Sequence, residues 1–257
     1  MKTVFYKIEC LTNLHVGSGE ANYNIVDKEV EKDAVTGLPI IHASGVKGAL
    51  RDALSAMPDY SDDDINRIFG APGEGEASSG GSHKFLDAIL ISRPMRVSGS
   101  DSTSSIPVVT VDSLNGFLAK ASAFGAPHFG IDKVSALDFG GNEFMTSSTE
   151  DIKVENDKTG KLNGAALAEL SKLESVIGKD FAVVKSFDDY DLPVTARNCL
   201  QGKGNLWYEE VVPHGSVLYF AVIYPFDNTP ELNFPPIVQF GGNASIGCGY
   251  TKITKLA

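Results

Sequence analysis

The sequence predicts an α+β fold carrying long loops. Several segments repeat apolar side chains at the period of a strand, few do so at the period of a helix, and polar stretches of unusual length separate them. Residues 3–11 (TVFYKIECL) alternate, with Val4, Tyr6, Ile8 and Cys10 on one side, so a strand opens the chain. Residues 14–24 (LHVGSGEANYN) are too rich in Gly and Asn for a regular element, and 25–33 (IVDKEVEKD) alternate again, as a charged, exposed strand. Within 36–57 (TGLPIIHASGVKGALRDALSAM), a Thr36-Gly37 turn leads to a short strand at 38–42. A helix that Ser44 can cap follows, with Val46, Leu50, Ala53, Leu54 and Met57 as its apolar face.

Residues 71–83 (APGEGEASSGGSH) hold no core former and predict a mobile surface loop. A strand at 84–97, a polar loop at 98–106 and a short helix at 111–120, with Asp112 near its start, come next. Residues 125–160 form a polar insertion without clear period, ending in an N-D-K-T-G turn. Leu167, Leu170, Leu173, Val176 and Ile177 then predict a helix over 164–178. Strand-like segments return at 206–212, 216–224 and 245–253. With no repeat of fixed period, the chain of 257 residues is expected to form one domain, 1–257, with insertions.

Composition narrows the function classes. Lys and Arg total 22 against 33 Asp and Glu, a formal charge of −11. No window approaches the roughly 18 apolar residues of a membrane span, and the N-terminal residues lack the apolar core of a signal peptide, so the chain is expected to be cytoplasmic. Cys10, Cys199 and Cys248 are far apart and predict buried thiols rather than disulfides or a zinc site. His15, His42, His83, His128 and His214 form no H-x-x-x-H pair.

Four segments carry chemistry, each with a plainer alternative. In 42–54 (HASGVKGALRDAL) a small-residue turn enters a helix bearing Lys47 and Arg51 four residues apart, an anion site in outline or simply a capped helix with two solvated cations. Residues 240–252 (FGGNASIGCGYTK) fail the phosphate-loop pattern and are either a close-approach loop or a hairpin turn. Residues 14–33 set His15, Glu20 and Asp27 around a glycine-rich loop, suited to acid–base or metal chemistry or to plain solvation. In 205–212 (NLWYEEVV), alternation puts Trp207 and Glu209 on one face and Tyr208 and Glu210 on the other, with Trp207 expected in the core.

In this order, LHVGSGE (14–20), TGLPIIHASGVKGALRD (36–52) and GGNASIGCGY (241–250) resemble the marks of the RAMP superfamily of CRISPR-associated proteins. LPVTARN (192–198), NLWYEEVVPHGSVLYF (205–220) and IVQFGGNASIGCGY (237–250) are similar to the repeated backbone subunit of type III-B (Cmr) effector complexes. The resemblance implies a ferredoxin-like (RRM-related) palm with an inserted thumb hairpin, copies of which stack along guide RNA (crRNA). It also implies other Cmr subunits as partners, and metal-dependent cleavage of complementary target RNA at regular intervals within the assembled complex.

Carried over by position, Ser44, Lys47 and Arg51 meet the guide backbone, Gly241, Gly242, Gly247 and Gly249 form the close-approach loop, and Asp27 is the cleavage aspartate. His15, Tyr208, Glu209 and Glu210 fall at auxiliary catalytic positions. An ordinary aspartate is a weak base at neutral pH, so Asp27 is expected to hold Mg²⁺ or another divalent cation, or to position the substrate. The acidic runs at 59–64, 150–157 and 188–191 lie outside these motifs, which reconciles RNA binding with the negative charge. The alternatives are a non-catalytic RNA-binding scaffold, the sibling type III-A backbone subunit, and a guide-maturing endoribonuclease of the same superfamily.

Overall fold

The structure, a computed structural model, describes residues 1–17, 19, 26–71, 79–98, 105–126, 129, 131, 138–148, 153–156, 160–162, 164–185, 192–199 and 205–256. In chain order the elements are β1 (Lys2–Cys10), β2 (Ile40–Ile41), α1 (Ala43–Ser55), α2 (Asp62–Phe69), β3 (Gly70–Ala71), β4 (Ser79–Gly80), β5 (Lys84–Phe85), β6 (Ala88–Ser98) and β7 (Ser105–Thr110). Next come α3 (Val111–Ala123), β8 (Phe144–Thr146), β9 (Lys153–Asn156), β10 (Gly160–Leu162), β11 (Gly164–Ala166), a 3₁₀ turn (Ala168–Leu173), α4 (Glu174–Ile177) and β12 (Ala182–Val184). The chain ends with β13 (Val194–Cys199), β14 (Asn205–Glu210), β15 (Val217–Tyr224), β16 (Val238–Gln239), a 3₁₀ turn (Ala244–Ile246) and β17 (Tyr250–Lys255). This is the mixed α+β architecture that the strand and helix periods predict. Two compact units emerge: Met1–Ile89, Leu192–His214 and Tyr219–Lys255 form the first, and Leu90–Asp191, Gly215–Leu218 and Leu256–Ala257 the second.

In the first unit β1 lies between β15 and β17, and β16 follows on β17. The pairs β1 with β17 (Ile8 opposite Ile253) and β16 with β17 (Val238 opposite Thr251) are antiparallel. A nearly continuous apolar run, VLYFAVIY, makes β15 a buried strand. Tyr6 stacks on Phe220 with ring centroids 5.3 Å apart, and its hydroxyl meets that of Tyr224 at 2.7 Å, so each buried phenol satisfies the other. Burial also pushes the Cys10 thiol up to about 12, and Cys10 and Cys248 are buried thiols as expected, while the Cys199 side chain lies outside the described residues.

Val46, Leu50 and Leu54, spaced at one helical turn, are fully buried on α1. Ser44 is not its cap: the helix begins two residues earlier than that cap would place it, with His42 at the N-cap position and no side-chain cap bond. The Asp87 carboxylate accepts the Ala43 N–H at 2.7 Å and takes that role from a distant part of the chain.

The sequence reading missed α2. Its signal was local: Ser61 accepts the Asp64 N–H and Asp64 accepts the Ser61 N–H, each at 3.2 Å, a closed capping box. The acids Asp62, Asp63 and Asp64, part of the acidic run at 59–64, sit in the first turn against the positive helix end. Phe69 then stacks on Phe85 at 5.1 Å. Of the loop expected at 71–83, residues 72–78 lie outside the described residues, while Gly70 and Ala71 pair with Gly80 and Ser79. A Cβ on Gly81 would overlap Ile68 O, so only glycine fits beside the end of α2.

In the second unit β7, also unforeseen, is antiparallel to β6 (Arg93 opposite Val108) and parallel to β12 (Val108 opposite Ala182). Ile106, Val108, Phe144, Val154, Ala182 and Val184 pack as its core. The helix expected over 164–178 is shorter: Gly164–Ala166 pair in parallel with Phe144–Thr146 as β11, leaving only Ala168–Leu173 and Glu174–Ile177 helical. Strand pairing overrides the helix period here, and the close approach of the two strands requires glycine at 164, where a Cβ would overlap the Phe144 ring. Parts of the polar insertion at 125–160 and of the acidic runs beyond 149 lie outside the described residues. Among the described residues no helix is long and apolar enough to cross a membrane.

Ser61→Ala is expected to lower stability by about 1 kcal/mol through loss of the α2 cap, whereas Ser44→Ala should change it by less than about 0.5 kcal/mol. Denaturant titration of the two variants separates these outcomes.

Candidate functional site

The candidate site lies within the first unit, where 26–32, the β13–β14 hairpin and the glycine-rich loop before β17 meet. The hairpin is antiparallel, with Thr195 opposite Glu209 and Arg197 opposite Trp207. Strand alternation therefore turns Arg197, Trp207 and Glu209 to one face and Val194, Leu206 and Tyr208 to the other. Of residues 25–33, expected as an exposed strand, the described residues 26–33 form isolated bridges to three partners: Val30 with Gly17, Lys28 with Glu209 and Lys32 with Pro39. No two successive residues share a neighbour, so no ladder develops.

Asp27 is held by backbone alone. Its N–H and that of Lys28 both donate to Tyr208 O at 3.1 Å, the Glu210 N–H donates to Lys28 O at 2.9 Å, and the Tyr208 N–H donates to Asp27 Oδ2 at 2.8 Å. The half-buried Asp27 carboxylate has no cation partner among the described residues.

Glu209 is its opposite. The residue is 1% exposed, and its carboxylate accepts from Trp207 Nε1 (2.8 Å) and Lys28 Nζ (3.0 Å) on one oxygen and from Asn243 Nδ2 (2.9 Å) and Arg197 Nε (3.2 Å) on the other. Burial alone would raise its pKa, but the bonds from Trp207, Lys28 and Arg197 outweigh it and hold the carboxyl at about 2. The Lys28 ammonium lies 5.4 Å from the Trp207 ring centroid. Trp207 is thus half-buried over an ionic cluster rather than a core residue. The Glu210 carboxylate accepts from Val30 N–H and Lys32 Nζ, both at 2.9 Å. Tyr208 is exposed, and it reaches Asp27 through its backbone N–H and carbonyl.

His15 is buried, with Nδ1 2.8 Å from Glu210 O, while its own carbonyl accepts the Gly242 N–H at 2.9 Å. This couples the glycine-rich loop to the hairpin. Gly241 (φ 74°) and Gly249 (φ 80°) make their close approaches to the chain itself: a Cβ would overlap His15 O in one case and Phe240 O in the other. Gly247 (φ 85°) faces open space, and Gly242 is exposed.

The cations of α1 lie elsewhere in this unit. Lys47 and Arg51 line an open groove of about 430 Å³ with Phe69, Gly70, Ala71, Ser79, Gly80 and Gly81. They share a side, as their spacing predicts, but differ in availability. Arg51 donates to Gly70 O at 2.9 Å and to Asn66 Oδ1 at 3.0 Å, whereas the Lys47 ammonium has no partner among the described residues. Ser44 stands exposed in the first turn.

Residues 7–252 match the model of the RAMP superfamily. The chain belongs to that superfamily. It is 25% identical to the CRISPR system Cmr endoribonuclease Cmr4 of Pyrococcus furiosus, over 99% of this chain and 96% of that protein. Its fold is shared with a chain of the type III-B Cmr-beta complex bound to cognate target RNA (TM-score 0.80, 23% identity, 99% and 97% of the two chains). It is shared also with oligomeric Cmr4 from Pyrococcus furiosus (TM-score 0.72, 20% identity, 100% and 98%).

Sequence reasoning named the carboxylates of this RAMP chain but missed Lys28, Arg197 and Asn243, which neutralise and bind Glu209. Their signal was indirect: a strand that points a carboxylate inward beside a tryptophan demands donors, and the donors come from three separate segments. Among the described residues no three His, Cys, Asp or Glu side chains converge to hold a metal ion. One carboxylate with one oxygen already engaged fits a Mg²⁺ held mainly by water and phosphate oxygens, not a cage built by protein alone.

Because the folded Glu209 carboxyl titrates near 2, below its ordinary value of 4.5, the stability it contributes is complete above about pH 4.5 and lost as pH falls towards about 2. Glu209→Gln, which cannot take up that proton, is expected to flatten the fall in denaturant midpoint across this window; an unchanged slope would show that Glu209 does not carry it.

Proposed function

We propose that this chain is the repeated backbone subunit of a type III-B (Cmr) effector complex, binding guide RNA along a stack of its own copies and cutting complementary target RNA. Support comes from the superfamily match and from similarity to a Cmr endoribonuclease over nearly the whole of both chains. The observation that carries the enzymatic part is the contrast among the three acids: Glu209 and Glu210 are taken up by lysine or arginine partners, while Asp27 is fixed by backbone. A carboxylate so placed is oriented yet still available to an incoming group.

In this reading β1, β15 and β17 with α1 belong to the ferredoxin-like palm, and β13–β14 is the inserted thumb hairpin. The guide backbone runs past Lys47 and the exposed Ser44, Gly242 and Gly247. Arg51 supports the groove wall, and Gly241 and Gly249 shape the loop. RNA carries its own nucleophile, so the protein's task is to align a 2′-OH with the adjacent phosphorus and to balance the developing charge. Attack of that oxygen breaks the P–O5′ bond, giving a 2′,3′-cyclic phosphate and a 5′-OH. Asp27 orients the reacting nucleotide. Glu209, Glu210 and buried His15 act by holding the segments around it, and Tyr208 contributes the N–H that fixes Asp27. A divalent cation bound at Asp27 would supply positive charge to the phosphate.

In the assembled complex, Asp27→Ala is expected to reduce target cleavage by about 10²-fold or more while leaving guide and target affinity within about twofold. Asp27→Asn should be nearly as damaged if charge is what matters, and EDTA should then abolish wild-type cutting. Full activity in Asp27→Ala would sink the nuclease reading and favour a non-catalytic scaffold.

Lys47→Ala should weaken guide binding and lower its salt slope by about 1, as loss of one phosphate contact does, without a change in melting temperature. Arg51→Ala, which also releases Gly70 O and Asn66, should lower melting as well. Filter binding across a salt series, paired with thermal melts, distinguishes the two.

A further inference from the structure

Asn243 stands in the glycine-rich loop with a left-handed backbone (φ 62°), a conformation that Asn tolerates better than other side-chain-bearing residues. It occupies the N-cap position of the Ala244–Ile246 turn, where Asn ordinarily bonds to its own helix, yet it makes no such bond. Its carbonyl accepts from the Ile246 and Cys248 N–H groups at 3.1 and 3.2 Å, closing the loop around it, while Nδ2 donates to Glu209 Oε2 at 2.9 Å. The amide is therefore committed to the hairpin. From Glu209 the bonds continue: Oε1 takes the Lys28 ammonium at 3.0 Å, and the Lys28 and Asp27 N–H groups share Tyr208 O. The Tyr208 N–H holds the Asp27 carboxylate.

We infer that Asn243 is a positioning residue for Asp27. By completing the donor set of a buried carboxylate it fixes Glu209, and through Lys28 it fixes the backbone on which the Asp27 carboxylate rests. The requirement at position 243 is then chemical as well as conformational. Glycine keeps the left-handed backbone but loses the donor, and aspartate keeps the shape but faces Glu209 with a second carboxylate at hydrogen-bond distance. A residue needed only for the loop would tolerate glycine, which adopts this left-handed backbone most readily, without loss of cutting. The inference rests on the reading of Asp27 as the reacting carboxylate.

The test uses single-turnover cutting of a matched target by the assembled complex, with target affinity measured alongside. Asn243→Gly is expected to slow cutting by roughly tenfold, the scale on which small misplacements act, with affinity within about twofold; Asn243→Asp should be slower still. Asn243→Gly combined with Glu209→Gln should be no slower than Glu209→Gln alone, because both break one chain of bonds. Wild-type cutting rates in Asn243→Gly, or additive losses in the double variant, would overturn the inference. If the wild-type complex leaves target uncut, the enzymatic reading fails separately. The bond chain is then read from the full-length chain itself, whose single tryptophan, Trp207, donates to the same carboxylate. Asn243→Gly should shift its emission, and unchanged emission would overturn the proposal.

Discussion

The candidate site depends on making one buried charge tolerable. Removing a carboxylate from water is expensive unless partners replace the solvent, and Glu209 is almost wholly buried. Its solution is four donors drawn from 26–32, both strands of the hairpin and the glycine-rich loop. Apart from the hairpin's own ladder, none of these segments is joined to another by extended strand pairing, so the carboxylate does what regular pairing would otherwise do. It fixes their mutual placement by stoichiometry: two cations and two neutral N–H donors on two oxygens.

That arrangement explains why three neighbouring acids behave so differently. Glu209 and Glu210 follow each other on one strand and point to opposite faces, yet both are taken up by lysine or arginine partners. Asp27, on the adjoining segment, is oriented by amides and keeps its charge for something else. Orientation without neutralisation suits a group meant to meet a phosphate or a cation.

Much of the architecture was legible because period and burial agree. β1 alternates and buries its alternating residues, and α1 places Val46, Leu50 and Leu54 one turn apart. The misreadings arise where a distant partner decides. Residues 164–166 have helical company in sequence but a parallel strand in space, and the α1 start is capped by Asp87 rather than by its own serine. The second helix was hidden for the opposite reason: its acids look like solvated charge unless Ser61 and Asp64 are read together. In the site, motif positions pointed to Asp27, His15 and the hairpin acids. The side chains that join them carry no motif, since a hydrogen bond between residues 209 and 243 leaves no periodic trace.

If α1 meets RNA as proposed, the Asp87 carboxylate on its first N–H bears on how it would do so. The amino end of a helix is usually treated as an open anion receptor, but here an internal anion already occupies part of it. A phosphate arriving at this turn finds a competitor of like sign, so the macrodipole discriminates weakly between bound and free states. On the proposed function, recognition would shift one turn along, to the ammonium of Lys47 in the groove it lines with Gly70, Ala71, Ser79 and Gly80. A helix end plugged in this way is also a poorer receptor for small inorganic anions, since the carboxylate already takes one of its N–H groups.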